Sequence, residues 1–225
     1  MMTKETILAR LLEVNAHGTY GTEFLDKQKF SALVKDLEDD IMEESNRVNG
    51  KTKPMKLAKA ILSVGQKREH KTGIMDLMAY AYTDDNGIQW LVDGYRVVGF
   101  FDNLELPEVP EDDRARWFHL DKMVEAPYDD VELPLPDIAE LKGAIKIGKA
   151  KKKHTVWKFE FGGVFNAQYL LEYLEGLENV KLYAQLDRRG KIGMTSPLRI
   201  EADNGIGILL GINNKVELPN GINYL

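Results

Sequence analysis

Residues 156–177 read VWKFEFGGVFNAQYLLEYLEGL, and this stretch holds a strand, a turn and a helix in succession. Charged and aromatic residues alternate as far as Phe161, which predicts a strand with one buried face. Two glycines then predict a turn, and Asn166 is a preferred capping residue at the start of a helix. The apolar residues of that helix recur at helical spacing and predict its buried face: Tyr169, Leu170, Tyr173, Leu174 and Leu177.

Strand patterns lie on both sides of this unit. Downstream, NVKLYAQL, SPLRIEAD and GIGILLGI are candidate strands, and the turn Asp203-Asn204-Gly205 joins the last two as a hairpin. Upstream, a helix is predicted over residues 54–67, and Asn86-Gly87 predicts a hairpin between strands over 74–82 and 88–101. This order predicts an α+β fold, in which an antiparallel sheet carries two helices on one face.

The remaining segments surround or interrupt this domain. Amphipathic helical patterns occur near the N-terminus, and five prolines with clusters of acids mark the middle of the chain. Within that middle region, PDIAELKGAIKIGK predicts a helix that Gly143 weakens. The last residues, NNKVELPNGINYL, show no obvious pattern. The predicted division is a helical extension at 1–53, a main domain at 54–213 with an insertion at 102–155, and a tail at 214–225.

Composition excludes several kinds of chemistry. The 225 residues contain no cysteine, which rules out disulfides, cysteine-bound zinc and a thiol nucleophile. No apolar run reaches the roughly 18 residues that a membrane span needs, and the N-terminus lacks the apolar core of a signal peptide. We therefore expect a cytoplasmic, soluble protein without a membrane partner.

Basic residues cluster locally although the net charge is −6. The outer side of the helix over 54–67 is basic, and residues 142–153, KGAIKIGKAKKK, hold six lysines and no acid. Such a surface is either simply solvated or a contact for a phosphate backbone, because binding depends on the local field. The candidate DNA-binding residues are Lys56, Lys59, Lys67, Arg68, Lys71, Lys146, Lys149, Lys151, Lys152 and Lys153.

Signatures of catalysis are weak. The four histidines are far apart in sequence and lack the short spacing of a metal site, and no phosphate-binding GxxxxGK[ST] motif occurs. Paired acids fall in predicted turns or on helix surfaces, where adjacent acids usually serve solvation. We predict a non-enzymatic protein with no catalytic residue, metal or cofactor. A metal-dependent hydrolase that uses acids of residues 102–132 ranks last among the alternatives.

Two separated segments resemble the bacterial DNA polymerase III β sliding clamp family. VFNAQYLLEYLEGL, ENVKLYAQ, SPLRIEADN and GIGILLGI resemble the second half of a clamp domain, and LVDGYRVVGF resembles an earlier clamp strand. The resemblance covers about residues 55–101 and 156–213. It implies a clamp-type domain, rings that surround duplex DNA, and capture of polymerases or other replication proteins through short peptides. On this chain, the resemblance implies a partner groove that is formed by Gly94, Tyr95, Arg96, Val97, Ile208 and Leu210.

The run Asp93-Gly94-Tyr95-Arg96 has two interpretations. Either Tyr95 and Arg96 leave the core to line that groove, or Asp93 and Arg96 pair at a strand end while Tyr95 packs. The chain also departs from the family, because it has one such domain rather than three and its second helix carries Glu172, Glu175 and Glu178. We expect a clamp-like processivity factor that is borne by a phage or mobile element and is able to form a homo-oligomer. The alternative is a clamp-derived protein-interaction module without DNA binding.

Overall fold

The computed structural model describes residues 51–116, 118, 120–124, 126–213 and 217–225, together with Ile7, Leu8, Val34, Leu37 and Ile41. The chain divides into two compact units, Met1–Thr52 and Lys53–Leu225. The five described residues before position 51 are helical, and the other residues of the predicted N-terminal helices lie outside the described residues. The predicted division into extension, domain, insertion and tail stays a prediction.

The second unit is built from four helices and nine strands among the described residues. The helices are α1 (Thr52–Thr72), α2 (Asp121–Val124), α3 (Ile138–Ala150) and α4 (Ala167–Gly176). The strands are β1 (Tyr82–Thr83), β2 (Gln89–Val92), β3 (Arg96–Phe100), β4 (Thr155–Lys158), β5 (Val164–Asn166), β6 (Lys181–Ala184), β7 (Leu198–Ala202), β8 (Gly205–Leu209) and β9 (Gly221–Tyr224). Two short 3-10 helices, Leu77–Ala79 and Glu111–Arg116, lie between them.

All named strands pair antiparallel, in two sheets. The larger sheet has the order β1-β2-β3-β8-β7-β6, and the smaller has the order β5-β4-β9. The two halves of the large sheet meet where β3 pairs with β8, from Arg96 opposite Leu209 to Phe100 opposite Gly205. The predicted α+β class with antiparallel pairing is thereby confirmed. The segments on either side of residues 102–136, which we call the proline-rich region, form one sheet.

Helix α4 packs on one face of the large sheet, where Gly207 of β8 leaves room for Tyr173. The buried Tyr173 hydroxyl lies 2.6 Å from the Val97 carbonyl and 3.2 Å from the Ile208 carbonyl. A Cβ at Gly207 would stand 2.6 Å from the Tyr173 ring, so a larger residue there would push the helix away. Helix α1 packs beside α4, since a Cβ at Gly176 would lie 2.7 Å from the Cβ of Leu57.

Several local predictions differ from the structure. The strand predicted over 74–82 is a 3-10 helix at Leu77–Ala79, which the Asp76 side chain caps by accepting from the Met78 N–H, and only the short β1 follows it. The strand predicted as far as Phe161 ends at Lys158.

The predicted strand over 88–101 is two strands, β2 and β3, which pair with each other through a turn at residues 93–96. The tail, for which no structure was expected, contributes β9, which pairs with β4. The helix predicted in PDIAELKGAIKIGK is confirmed as α3, and the Asp137 side chain caps it by accepting from the Glu140 N–H.

The proline-rich region covers the other face of the large sheet. Val109, Leu120 and Tyr128 are buried against Val97 and Ile208 in one apolar cluster. The same region also covers both edges of this sheet. The Val109 N–H donates to the Ala81 carbonyl beside β1, and the Leu133 N–H donates to the Leu182 carbonyl of β6, each at 2.8 Å. The region therefore completes the core and is more than a surface excursion.

Candidate functional site

The turn between β2 and β3 is built around the buried carboxylate of Asp93. One carboxylate oxygen accepts from the Tyr95 and Arg96 N–H groups at 2.9 and 2.8 Å, and the Asp93 N–H donates to the Arg96 carbonyl. Gly94 has φ +89°, a conformation that glycine adopts without steric cost. This geometry turns the chain within four residues and places Tyr95 at the tip, with 61% of its surface exposed.

Arg96 connects this turn to α4. Its Nε donates to Asp93 at 2.7 Å, one of its terminal nitrogens pairs with Glu172, and its guanidinium lies 4.0 Å from the ring centre of Tyr169. Burial disfavours the charge on Arg96, but the carboxylates of Asp93 and Glu172 outweigh that effect and raise its pKa above the ordinary value. Asp93 and Arg96 pair as the second interpretation expected, but Tyr95 is exposed rather than packed, and Arg96 is buried rather than outside the core.

A cavity lies beside Tyr95, which we call the Tyr95 cavity. Its volume is about 390 Å³, and it is lined by Tyr95, Asn166, Tyr169 and residues 210–213. Two residues of the predicted groove, Tyr95 and Leu210, line it. Arg96 lies beneath the Tyr169 ring, and Gly94 lies at the exposed turn. Val97 and Ile208 are buried in the apolar cluster under the proline-rich region. The groove assignment stays a prediction.

Helix α1 carries a stripe of lysines along its exposed side. Lys53, Lys56, Lys67 and Lys71 fall within about 60° of one another around the helix axis and extend over about 27 Å. Lys59 is exposed at one side of this stripe. None of these five lysines forms an ion pair with a described residue, whereas Arg68 pairs with Asp76 at 2.9 Å. Among the described residues, no ion pair compensates the positive charge of this stripe.

A second row of lysines follows α3, with Lys142, Lys146 and Lys149 on one side of the helix. Lys151, Lys152 and Lys153 continue past its end and are exposed. Cations near a helix C-terminus are favoured by the helix dipole, so part of this cluster stabilises α3 itself. The surface has a structural role whether or not a ligand binds.

The two rows meet at a cavity of about 620 Å³ between α1, α3 and α4, which we call the lysine groove. Lys53 and Lys56 line one side and Lys142 lines the other, above the apolar side chains of Leu57 and Leu174. The groove brings Lys56 near the start of the 142–153 cluster, although the two are far apart in sequence. Sequence reasoning did not select Lys53 and Lys142, and the signal for Lys53 was its helical spacing from Lys56.

The acids of α4 were expected to repel phosphate, and two of them are paired. Glu172 binds Arg96, and Glu175 accepts from Lys142 Nζ at 2.7 Å. These pairs reduce the negative field at the floor of the lysine groove. Glu178 lies beyond the end of α4 and is exposed.

No group of three or more metal-ligating side chains comes together within the described ranges. No helix in the part of the chain that the structure describes has the length and apolar character to cross a membrane.

No protein-family model matches this sequence, and no curated protein matches it. Among solved structures, the chain is similar to the DNA polymerase III β subunit of Thermotoga maritima, with 12% identity and a TM-score of 0.30. The match covers 56% of this chain and 42% of that subunit, so it spans less than half of the subunit's length. At this TM-score the likeness establishes neither a family nor a function.

Proposed function

We propose that this protein is a non-enzymatic, sliding-clamp-like accessory factor of DNA replication. It would hold duplex DNA without sequence preference along the lysine groove and bind a replication partner at the Tyr95 cavity. The observation that carries the proposal is the lysine groove, where Lys53 and Lys56 of α1 face Lys142 of α3 across one cavity, and Glu172 and Glu175 at that cavity are paired with Arg96 and Lys142. The sequence resemblance to clamp domains adds the replication context.

The positive charge of the lysine groove determines how its affinity for DNA would depend on salt. Lysines that neutralise phosphates release condensed counterions, so affinity falls steeply with salt. If about four to six lysines contact DNA, the slope of log K against log salt is about −4 to −5. The lysines would contact phosphates and not the edges of the bases. Binding of this kind is weak at physiological salt and independent of sequence.

Fluorescence anisotropy with a labelled 20–30-base-pair duplex tests the DNA role. The triple variant Lys56→Glu, Lys59→Glu, Lys67→Glu should weaken binding at low salt by at least about tenfold and lower the salt slope by up to about 3. The matched control changes three exposed cations between β6 and β7 to glutamate: Arg188, Arg189 and Lys191. It alters net charge equally and should bind nearly as tightly as the parent protein.

Two results would reject the DNA role at this surface. Equal losses in both triple variants would show that binding follows net charge rather than the lysine groove. Unchanged anisotropy of the parent protein at low salt would remove DNA binding altogether. Light scattering adds a test of encirclement, because a strict monomer at high concentration cannot form a ring.

The second candidate is a protein-interaction module that does not bind DNA. The Tyr95 cavity favours it, because an exposed tyrosine beside a concave surface is typical of peptide-binding sites. Tyr95→Ala should then abolish capture of a partner while leaving DNA anisotropy unchanged. The parent protein's failure to bind duplex DNA, combined with Tyr95-dependent partner binding, would select this candidate over the first.

A further inference from the structure

Three of the four edge strands in the two sheets are covered by other parts of the chain. Residues beside Val109 cover β1, and residues 127–133 cover β6. The Ile212 N–H donates to the Val164 carbonyl at 2.7 Å and so covers β5. Covering an edge satisfies backbone groups that would otherwise pair with a strand from another molecule.

Strand β9 is the fourth edge, and the described part of the chain does not cover its outward backbone groups. Its ladder with β4 continues at His154 and Leu225, which exchange backbone hydrogen bonds of 3.0 and 2.8 Å. Hydrogen-bonded pairs alternate along an antiparallel ladder, so the N–H and C=O groups of Ile222 and Tyr224 point away from β4. No described residue forms a hydrogen bond with these four groups.

Lysines lie at both ends of this open edge. At one end, Lys151 Nζ stands 5.4 Å from the ring centre of Tyr224, and the exposed Lys152 and Lys153 follow it. At the other end, Lys158 Nζ donates to the Leu218 carbonyl, just before β9 begins. An incoming strand with carboxylates would meet favourable charge along its length, whereas a basic strand would be repelled.

We propose that β9 is a docking edge that takes an extended, acidic segment of another protein as a fourth strand of the small sheet. The backbone groups of Ile222 and Tyr224 would supply the hydrogen bonds of the new ladder. The flanking lysines would select acidic side chains. This site is distinct from the lysine groove and the Tyr95 cavity, and it gives Lys151, Lys152 and Lys153 a role that does not require DNA.

The probe is a fluorescein-labelled heptapeptide in which glutamate and valine alternate. Its two controls are the same peptide with lysine in place of glutamate, and a version with N-methylated backbone that cannot extend a ladder. The acidic peptide should bind at least about tenfold more tightly than either control, because only it offers both the ladder and opposite charge. Equal binding of the acidic and basic peptides, or of the N-methylated peptide, overturns the proposal, as does the absence of binding.

The matched variant is Ile222→Pro, which removes one outward N–H and leaves the bonded pairs with β4 intact. Edge strands accept proline at such positions. Circular dichroism should therefore report the parent fold, DNA anisotropy should be unchanged, and the acidic peptide should bind roughly tenfold more weakly. Unchanged peptide affinity in a correctly folded variant would contradict the proposal.

Amide hydrogen exchange provides a readout that needs no variant. The Ile222 and Tyr224 amides should exchange rapidly in the free protein and slow down when the acidic peptide is added. If peptide binding leaves their exchange unchanged, the ladder does not form and the proposal fails. If instead they are protected in the free protein in a concentration-dependent way, a second copy of the chain occupies the edge, and this also overturns it.

Discussion

Replacing Asp93 with asparagine removes the charge at the centre of the β2–β3 turn. The Asp93 side chain is fully buried and accepts three hydrogen bonds, from the Tyr95 N–H, the Arg96 N–H and Arg96 Nε. In Asp93→Asn, one oxygen still accepts from the two backbone groups, but an NH₂ group replaces the acceptor that faces Arg96. Among the described residues, Glu172 is then the one carboxylate that pairs with the buried guanidinium.

Losing this acceptor should lower the free energy of unfolding. Breaking a buried ion pair by removing one partner costs about 3–5 kcal/mol, and the remaining contact with Glu172 places Asp93→Asn near the lower value, about 3 kcal/mol. That is a large part of the roughly 5–15 kcal/mol by which folded proteins are usually stable. Glu172→Gln should cost less, about 1 kcal/mol, because its side chain is 22% exposed and its amide oxygen can still accept.

Urea unfolding followed by circular dichroism measures both changes. Asp130→Asn is the matched control, because this exposed carboxylate lies in a bend and should change the free energy of unfolding by less than about 0.5 kcal/mol. The double variant Asp93→Asn, Arg96→Met should lose less than the sum of the two single variants, since it leaves no unpaired cation. If Asp93→Asn lowers the free energy of unfolding by less than about 1 kcal/mol, the reasoning is refuted, because removing one partner of a buried ion pair should destabilise the fold by more than that.

Three other changes give further tests. Gly143→Ala should stabilise the protein by about 0.5–1 kcal/mol in urea unfolding, because the glycine is exposed within α3 and its added Cβ meets nothing; a loss would contradict this. Gly207→Ala should destabilise it by about 1–3 kcal/mol in the same assay, because the methyl group would press on Tyr173; a neutral result would place α4 farther from the sheet. Burial raises the pKa of the Tyr128 hydroxyl to about 12, above the roughly 10 of an unfolded chain, so the folded state resists ionisation. Stability should therefore fall by roughly 2–3 kcal/mol between about pH 10 and 12, and Tyr128→Phe should lack that part of the fall when melting is followed against pH.

Sequence patterns were sufficient where the structure is local. Asn166 caps α4 as its residue type indicates, and its side chain accepts from the Gln168 and Tyr169 N–H groups. The Asp203-Asn204 turn joins β7 and β8 as predicted. These features depend on residues a few positions apart, and the chemistry of caps and turns can be read from the residues themselves.

Features that depend on distant contacts were not predictable. The sequence GINY is too short and too polar to indicate a strand, and β9 exists because β4 pairs with it. The ion pair between Arg96 and Glu172 joins residues from different elements, so no spacing rule reveals it. The proline-rich region lacks a regular period because it follows the sheet as irregular chain and two short helices, and its apolar residues are fixed by what they contact.

The lysine groove and the Tyr95 cavity also combine features that the sequence indicates with features that depend on distant contacts. Lysine spacing along α1 indicated a basic side, but only the folded chain brings Lys53 and Lys56 to the same cavity as Lys142. Tyr95 was singled out by its position in a short motif, whereas Asn166 and Tyr169 were assigned to a cap and a buried helix face. A surface made by several elements needs the tertiary structure before its members can be recognised.

The pairing of β3 with β8 also has a consequence for biosynthesis. Roughly a hundred residues separate the two strands, which join the halves of the large sheet. At about 5–20 residues per second, a ribosome needs roughly 5–20 seconds to make that interval. During this time RVVGF has no neighbour on one side, so nascent chains that stop before Gly205 should recruit chaperones or aggregate, while the finished chain should not.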